Sequence, residues 1–561
     1  MAPQALESTD SSSFVDPLSG FCPKTKTFHS LRPPTPLPPL HQPLSVSQFA
    51  ISLLLSSSAN AAAGTFLVNS TTGDSLTYSQ FLTQTRSLSL ALKSRYSLST
   101  NDVAFILCPT SIQVPILYFS LLSLGVTVSP ANPLSSNSEV SHEIQLCKPK
   151  IAFATSQTAH KLPALPLGTI LIDSPEFLSL LNQSDDAEFD GSGLVEVNQS
   201  DSAAILYSSG TTGKVKGVCL THRNLIALIA GYDNNRGEVG GDQPETPAVT
   251  LFTLPLFHVF GFSMLIRAAS KGETVVLIER FDFEVMLKAV ERYKVNLIPV
   301  SPPLIVAFVK SELTKKYDLS SLLYLGCGGA PLGKDVADKF KEKFPHIGIS
   351  QGYGMTETGG GATRTITEEE VKQHGSVGRL GEDMEAKIVD PSTGEALPPG
   401  QRGELWLRGP TIMKGYVGDE KATSETLDSD GWLKTGDICY FDSNGFIYIV
   451  DRLKELIKYK AYQVPPAELE HLLHSNTEIE DAAVVPYPDE EAGQIPMAYV
   501  VRKAGSNLTE AQVMDFIAKQ VAPYKKIRRV AFINAIPKNP AGKILRRELV
   551  NHALSATASK L

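Results

Sequence analysis

Apolar and polar positions along the first two thirds of the chain fall into a strand, helix, strand rhythm. The unbroken apolar run Val103 to Leu107 predicts a buried strand, Ser111 to Leu124 a helix, and Val126 to Val128 a second strand stopped by Pro130 and Pro133. The rhythm recurs at Ala203 to Tyr207, Val275 to Ile278, Asn296 to Val300 and Leu322 to Leu325, which predicts an α/β fold with largely parallel sheets. From about residue 380 the texture changes to Glu385 to Val389, Gly403 to Leu407 and Phe446 to Val450, short strand patterns between Gly, Pro and Asp turns, as in a small β-rich unit. After Asp451 a charged run leads into helix and strand patterns that continue to Val550, enough for a compact α+β domain of about 100 residues. Residues 1 to 45 are Ser-rich and then Pro-rich, which predicts an extended segment lying on a domain surface. The expected division is that segment, a large region 46–450 with its β-rich part at about 380–450, a short connection 451–455, and a small domain 456–558.

Composition narrows the class. The 561 residues are too many for one core, and 42% hydrophobic with 20% charged residues describes a soluble globular chain. With 51 basic and 59 acidic residues the net charge is −8, which argues against a chain built to coat nucleic acid or an anionic membrane. Six cysteines lie far apart with no CxxC pair, so neither a disulfide framework nor a zinc site is indicated, and they read as reduced thiols of an intracellular protein. No stretch reaches the roughly 18 uncharged apolar residues of a membrane span. The acidic, Ser-rich amino terminus fits neither a secretory signal nor a transit peptide. The last three residues, Ser559-Lys560-Leu561, spell a peroxisomal import address, which makes a peroxisomal import receptor the expected partner and the peroxisome the expected location.

The sharpest chemical signal is Ser208-Ser-Gly-Thr-Thr-Gly-Lys-Val-Lys-Gly217, placed just after an apolar strand. Its glycines let backbone N–H groups converge, its hydroxyls add donors and its lysines add charge, a combination suited to a polyphosphate. Gly210 and Gly213 stand too close together for a Walker A loop.

At this loop the chain resembles the acyl-adenylate-forming superfamily, which includes acyl-CoA synthetases, 4-coumarate:CoA ligases, firefly luciferase and peptide-synthetase adenylation domains. The resemblance continues in order through Leu254-Pro-Leu-Phe-His-Val-Phe-Gly261, Gly328-Gly-Ala-Pro-Leu-Gly333, Gln351-Gly-Tyr-Gly-Met-Thr-Glu357, Gly403-Glu-Leu-Trp-Leu-Arg-Gly409, Trp432-Leu-Lys-Thr-Gly-Asp437, Asp451-Arg-Leu-Lys-Glu455 and Pro537-Lys-Asn-Pro-Ala-Gly-Lys543. Plant 4-coumarate:CoA ligases and their peroxisomal relatives are the most similar group. The resemblance implies a two-step reaction: a carboxylate attacks the α-phosphate of ATP and releases pyrophosphate, then the thiol of coenzyme A displaces AMP. It also implies a small carboxy-terminal domain, mobile about a hinge at 451–455, that rotates between the two steps.

Residue by residue, the resemblance places Ser208, Ser209, Gly210, Thr211, Thr212 and Lys216 on the β- and γ-phosphates, Thr356 on the α-phosphate and Glu357 on Mg²⁺. Gly329, Gln351 and Gly352 become adenine-side contacts, and Asp437 and Arg452 ribose contacts. Lys543 becomes the catalytic lysine, Lys458 and Gln463 further residues that the small domain brings to the site, and Lys454 the hinge. His258 would line the acyl site, with Phe260, Met264, Gly329, Gly354, Gly360 and Gly361 around the acyl group; Arg280, Lys460 and Ala461 would meet coenzyme A.

Three departures bear on substrate. Gly359-Gly-Gly361 stands where hydroxycinnamate ligases usually read Gly-Pro-Val, Phe260 replaces a frequent tyrosine, and Ala461 replaces a glycine beside the pantetheine channel. The first two predict a roomier, more apolar pocket that disfavours a phenol and suits an unsubstituted cinnamate-like acid, a medium- or long-chain fatty acid or a cyclopentane-ring jasmonate precursor. The third narrows the thiol path by one methyl. The expected enzyme is an acid–thiol ligase working as a monomer or weak homodimer on a small carboxylic acid. An adenylating enzyme with a luciferase-like oxidative second step, or an inactive acyl-binding sensor, is the alternative.

Overall fold

A computed structural model of the chain describes residues 14–57, 63–182, 195–208, 215–234, 248–330, 332–460, 462–539 and 542–558. The run Val103–Leu107 forms a strand, the helix Gln113–Ser123 crosses back, and Thr127–Pro130 lies parallel beside the first strand. This unit sits in a seven-stranded sheet ordered Gly415–Tyr416, Lys216–Thr221, Ser202–Ser208, Thr127–Pro130, Val103–Leu107, Ile151–Ala154, Thr169–Leu171. A nine-stranded sheet carries the parallel strands Thr65–Asn69, Thr274–Leu277, Val249–Phe252, Leu297–Val300, Tyr324–Cys327 and Gly348–Tyr353 at its centre. One buried cluster joins the two sheets through the helices Val46–Ser57, Tyr78–Tyr96, Gln113–Ser123 and Val259–Lys271. Strands buried on both faces explain why their runs are continuously apolar.

The β-rich unit is a six-stranded sheet, Phe21–Cys22, Thr27–His29, Glu385–Val389, Gly403–Arg408, Leu433–Phe441 and Ile447–Arg452, antiparallel throughout. Its first two strands come from the amino-terminal segment, which was expected to be extended on a surface. Phe28 is fully buried and stacks on Phe441 with ring centroids 3.9 Å apart, so apolar burial draws this piece into the sheet. From Ser30 onward the segment is a strap without regular structure, tied down where Arg32 pairs with Glu370 at 3.0 Å and Arg223 donates to the Pro38 carbonyl at 2.6 Å.

The carboxy-terminal part builds a separate sheet from Ile457–Tyr459, Tyr462–Val464, Ile479–Asp489, Gly493–Arg502 and Arg529–Phe532. Alternation along Ile479–Asp489 sends Ala482 and Val484 to one small core and Ala483, Val485 and Tyr487 to another, with the helices Pro466–Ser475 and Glu510–Ala518 on the first face and Arg546–Ala558 on the second. A large amino-terminal domain and a smaller carboxy-terminal one result. All six cysteines are buried and unpaired, and no described helix is long and apolar enough to cross a membrane.

Candidate active site

The strands on either side of the glycine-rich loop form an antiparallel pair. Ser202–Ser208 and Lys216–Thr221 pair antiparallel with Ser208 opposite Lys216, so the loop does not lead into a helix as a Walker A loop does. Ser209, Gly210, Thr211 and Thr212 lie outside the described residues, as do Ala461 and the tail Ser559 to Leu561. Of the two flanking residues, Ser208 meets a buried carboxylate and Lys216 lies over the tyrosine that meets it too. Ser208 Oγ donates to Glu357 Oε1 at 3.2 Å, Tyr416 donates to the same oxygen at 2.9 Å, and Lys216 Nζ lies 4.5 Å from the Tyr416 ring centroid. Burial, then Glu357, pushes the Tyr416 phenol well above its usual range, so it stays a donor. Glu357 and Thr356 share the short turn Thr356–Thr358 after the strand Gly348–Tyr353, and both are buried.

Asp437 and Arg452 are opposite neighbours on adjacent antiparallel strands, with Nε and Oδ1 3.3 Å apart. Tyr353 donates to the other carboxylate oxygen at 2.6 Å. A carboxylate offers about four acceptor sites, so these two partners orient Asp437 and still leave it able to accept from a ligand hydroxyl. Tyr353 was not foreseen from sequence; its place between Gly352 and Gly354 in the Gln351 to Glu357 motif was the available signal.

These groups line a cleft of about 810 Å³ between the two domains, with Gly329, Gly352, Tyr353, Gly354, Asp437, Arg452, Glu455 and Lys543 on its walls. Gly329 has φ +83°, and a β carbon there would meet nothing within 4 Å, so the backbone itself forms the wall. Lys543 enters from the small domain in the turn closed by the Asn539 and Gly542 hydrogen bonds. Gly542 packs so closely on the large domain that a β carbon would stand 2.8 Å from Ser301 Oγ. Burial, followed by the Arg452 guanidinium, lowers the Lys543 ammonium to about 8, while Glu455 and Asp437 oppose the shift.

Of the candidate acyl residues, Gly329 and Gly354 are on the walls of this cleft, and His258, Phe260, Met264, Gly360 and Gly361 are not. His258 caps the helix Val259–Lys271, its Nδ1 accepting from the Phe260 amide at 3.3 Å; burial and then Lys543 lower its pKa to about 4, so the ring is neutral. Phe260 packs over Gly328, with its ring 3.4 Å from where a β carbon would stand, and Met264 is buried in the same helix. A β carbon on Gly354 would sit 2.4 Å from the Gly360 carbonyl oxygen, so glycine is required there for close approach of two strands of backbone. The expectation that Gly360 and Gly361 leave open space is corrected. Their missing side chains are replaced by neighbours, with Ser263 Oγ 2.9 Å from the Gly360 β position and Leu228 Cδ1 3.0 Å from that of Gly361.

Other candidates stand apart from the cleft in this arrangement. Lys458 and Gln463 are opposite neighbours in the exposed hairpin of the small domain, and Lys460 at its turn pairs with Glu491 at 2.8 Å. Arg280 and Lys454 are exposed, and Gln351 is buried behind Gly352, its backbone N–H donating to Thr365 Oγ1 at 3.0 Å. Among the described residues no group of three or more His, Cys, Asp and Glu side chains forms a metal cluster.

The chain matches the AMP-binding enzyme family over residues 56–417 and the AMP-binding enzyme C-terminal domain over residues 468–543. It is 64% identical to "4-coumarate--CoA ligase-like 9" of Arabidopsis thaliana over 99% of this chain and 100% of that protein. Identity to the "Peroxisomal OPC-8:0-CoA ligase 1" of the same plant is 45%, covering 96% of this chain and 99% of the other. Among solved structures, ATP-bound MatB from Rhodopseudomonas palustris superposes with a TM-score of 0.80 at 25% identity, over 91% of this chain and 99% of that one. The chain belongs to the AMP-binding enzyme family, whose members just named include acid–thiol ligases.

Proposed function

We propose that this protein is an ATP-dependent carboxylate–CoA ligase that works through an acyl adenylate and acts on an apolar aromatic, medium- or long-chain, or jasmonate-precursor acid. The observation that carries the proposal is the entry of Lys543 into the interdomain cleft, beside Asp437 and Arg452 and in electrostatic reach of His258. In the first step a carboxylate oxygen forms a bond to the α-phosphorus while the bond to the pyrophosphate oxygen breaks. The Lys543 ammonium, on a flexible stem, offsets the charge that builds as the two anions join. Asp437 and Arg452 hold the ribose, Gly329 and Gly352 border the adenine with Gln351 behind Gly352, and Lys216 with the hydroxyls of the 208–212 loop takes the departing phosphates. Neutral His258 adds no charge at the mouth of the acyl pocket.

Glu357 fits a divalent cation. It is buried, and its side-chain hydrogen-bond partners Ser208 and Tyr416 are both neutral hydroxyls, so a bound Mg²⁺ would supply positive charge beside it. A Mg²⁺ held by Glu357 would offset the charge gathered on the phosphate oxygens.

In the second step the thiolate of coenzyme A bonds to the acyl carbon as the bond to AMP breaks. Lys458 and Gln463 are assigned to that step, after a rotation about Lys454 brings their hairpin to the cleft and carries Lys543 away; Arg280, Lys460 and Ala461 then border coenzyme A. The Ser559-Lys560-Leu561 tail is read as a peroxisomal import signal, in keeping with the relative named as peroxisomal.

The test is AMP and pyrophosphate release across 4-coumarate, cinnamate, benzoate, C6 to C18 fatty acids and jasmonate precursors, with and without coenzyme A. Acid-dependent AMP release that requires coenzyme A, with the thioester seen by mass, is the expected result. Release indifferent to coenzyme A overturns the second step, and no release with any acid overturns the ligase.

A further inference from the structure

Two lysines of the large domain hold one turn of the small domain by its carbonyls. Lys310, the last residue of the helix Pro302–Lys310, donates through Nζ to the Ile479 and Glu480 carbonyls at 2.7 and 3.0 Å. Lys339, on the helix Lys334–Lys343, donates to the Ser475 carbonyl at 3.2 Å. Ser475 ends the helix Pro466–Ser475 and Ile479 begins the strand Ile479–Asp489, so both lysines grip the single connection between these elements. The last carbonyls of a helix lack intrahelical partners and carry the negative end of its dipole, which suits a cation. Glu480 stands at a slip in the pairing of its strand, between Ile479 and Asp481.

The grip is anchored on the large-domain side and connected to the reacting centre. Lys343 donates to the Phe308, Val309 and Ser311 carbonyls at 3.0 Å each, which ties down the helix end from which Lys310 reaches. About 13 Å away along the same helix, Ser301 at its other end stands 2.8 Å from the β position of Gly542, next to Lys543. The neighbouring helix repeats the arrangement. Gly333 at its start packs on His471, its β position 3.0 Å from the ring Cγ, and Lys339 takes Ser475 one turn further along the same small-domain helix. Asp481, beside the gripped carbonyls, is paired with Lys538 of its own domain at 2.6 Å. Lys310 and Lys339 bind carbonyls, so their release strands no buried carboxylate and the small domain can turn away.

We infer that Lys310, assisted by Lys339, is a positioning residue for the first step: it latches the small domain with Lys543 in the cleft, and the hold of that latch sets how the enzyme divides its time between the two steps. The inference rests on the ligase reading. Lys310 acts through Lys543, so loss of its charge slows the step that needs Lys543 and spares or speeds the step that needs the Lys458 hairpin.

The experiment uses the full chain and reads the two steps apart: acyl-AMP formation from ATP and acid without coenzyme A, and thioester formation from supplied acyl-AMP with coenzyme A. Lys310→Met keeps the length of the side chain and removes its charge. It is expected to lower the first rate about tenfold and to leave the second at or above the wild-type rate. Lys310→Arg is expected to recover most of the first rate, and Lys339→Met to give a smaller loss in the same direction as Lys310→Met. A first rate unchanged by Lys310→Met overturns the inference. Equal losses in both steps with a lowered melting temperature also overturn it, since Lys310 would then serve the fold alone. A second readout needs no turnover: spin labels on Lys288→Cys and Lys519→Cys, both exposed while the six native cysteines are buried, report the distance between the domains. Lys310→Met is expected to move population away from the wild-type distance, and an unchanged distribution overturns the latch whatever the activity. A shifted distribution in a protein that adenylates no acid overturns the ligase reading instead.

Discussion

Asp451 Oδ2 accepts the backbone N–H of Ala467 at 2.9 Å, so the last strand of the β-rich sheet caps the first helix of the small domain. The other carboxylate oxygen accepts the Arg452 amide at 2.7 Å, next to the residue proposed to hold ribose. Four residues on, Glu455 binds Arg546, which also pairs with Glu470, so the short connection between the domains is tied to the small domain at two points. Across the cleft Lys310 donates to the Ile479 and Glu480 carbonyls at 2.7 and 3.0 Å. These contacts set the small domain in the orientation that presents Lys543.

Burial raises the Asp451 pKa from 3.8 to about 6, against the pull of the two amides and Arg546. A carboxyl raised on folding stabilises the fold fully below its unfolded value and loses that contribution as pH rises through about 6. Asp451→Asn removes this penalty and keeps one acceptor. The melting temperature of the variant minus that of wild type is expected to rise from pH 4 to pH 7, by up to about 3 kcal/mol in stability. A difference that stays flat across the range would show that Asp451 titrates normally.

Elements whose signal is local were legible in the sequence. Val103–Leu107 and Glu385–Val389 stand where the apolar run and the alternating pattern put them. Leu322 to Leu325 fell two residues short of the strand Tyr324–Cys327, because Leu322 is buried in the preceding turn and Gly326 carries no apolar side chain. The hairpin ending at His29 was missed because its reason, Phe28 against Phe441, lies some four hundred residues away in the chain. For the site, the motifs named Asp437, Arg452, Glu357 and Lys543, and the structure brings three of these to one cleft with Glu357 beside the loop. Tyr353 and Tyr416 escaped notice, since a tyrosine in an apolar stretch reads as core until its hydroxyl's neighbours are known.

Lys543 acts as a cation, and burial lowers its ammonium to about 8. The kcat/KM for acyl-AMP formation without coenzyme A is therefore expected to hold up to pH 8 and to fall about tenfold per unit beyond it. Lys543→Arg keeps the charge at every accessible pH and should flatten that limb, at a lower plateau. Lys543→Ala should reduce acyl-AMP formation by at least about a thousandfold while the dissociation constant for ATP changes little. Pyrophosphate release unchanged in the alanine variant would remove this lysine from the first step.

Glu357→Gln keeps the shape of a buried side chain and removes its charge. If Glu357 binds the cation with ATP, the Mg²⁺ concentration giving half-maximal AMP release should rise about tenfold or more at fixed ATP. The melting temperature without nucleotide should rise or hold, because an unneutralised buried carboxylate is lost. An unchanged Mg²⁺ dependence would place the cation elsewhere.

Tyr353→Phe tests the second partner of Asp437. Burial, then Asp437, drives the Tyr353 phenol far above its ordinary range, so it donates at any working pH, and its 2.6 Å bond holds the carboxylate oxygen that Arg452 does not. Without it Asp437 is fixed on one side alone, and a hydrogen bond to a charged group contributes about 1.5 to 3 kcal/mol. Binding of ATP, read by calorimetry, should weaken about tenfold, with a similar loss for AMP because both present the same ribose. The rate of acyl-AMP formation at saturating ATP should change far less, since Lys543 and the phosphate loop are untouched. A fall in that saturated rate with ATP affinity intact would mean that Tyr353 positions the reacting groups and that the ribose is held without Asp437.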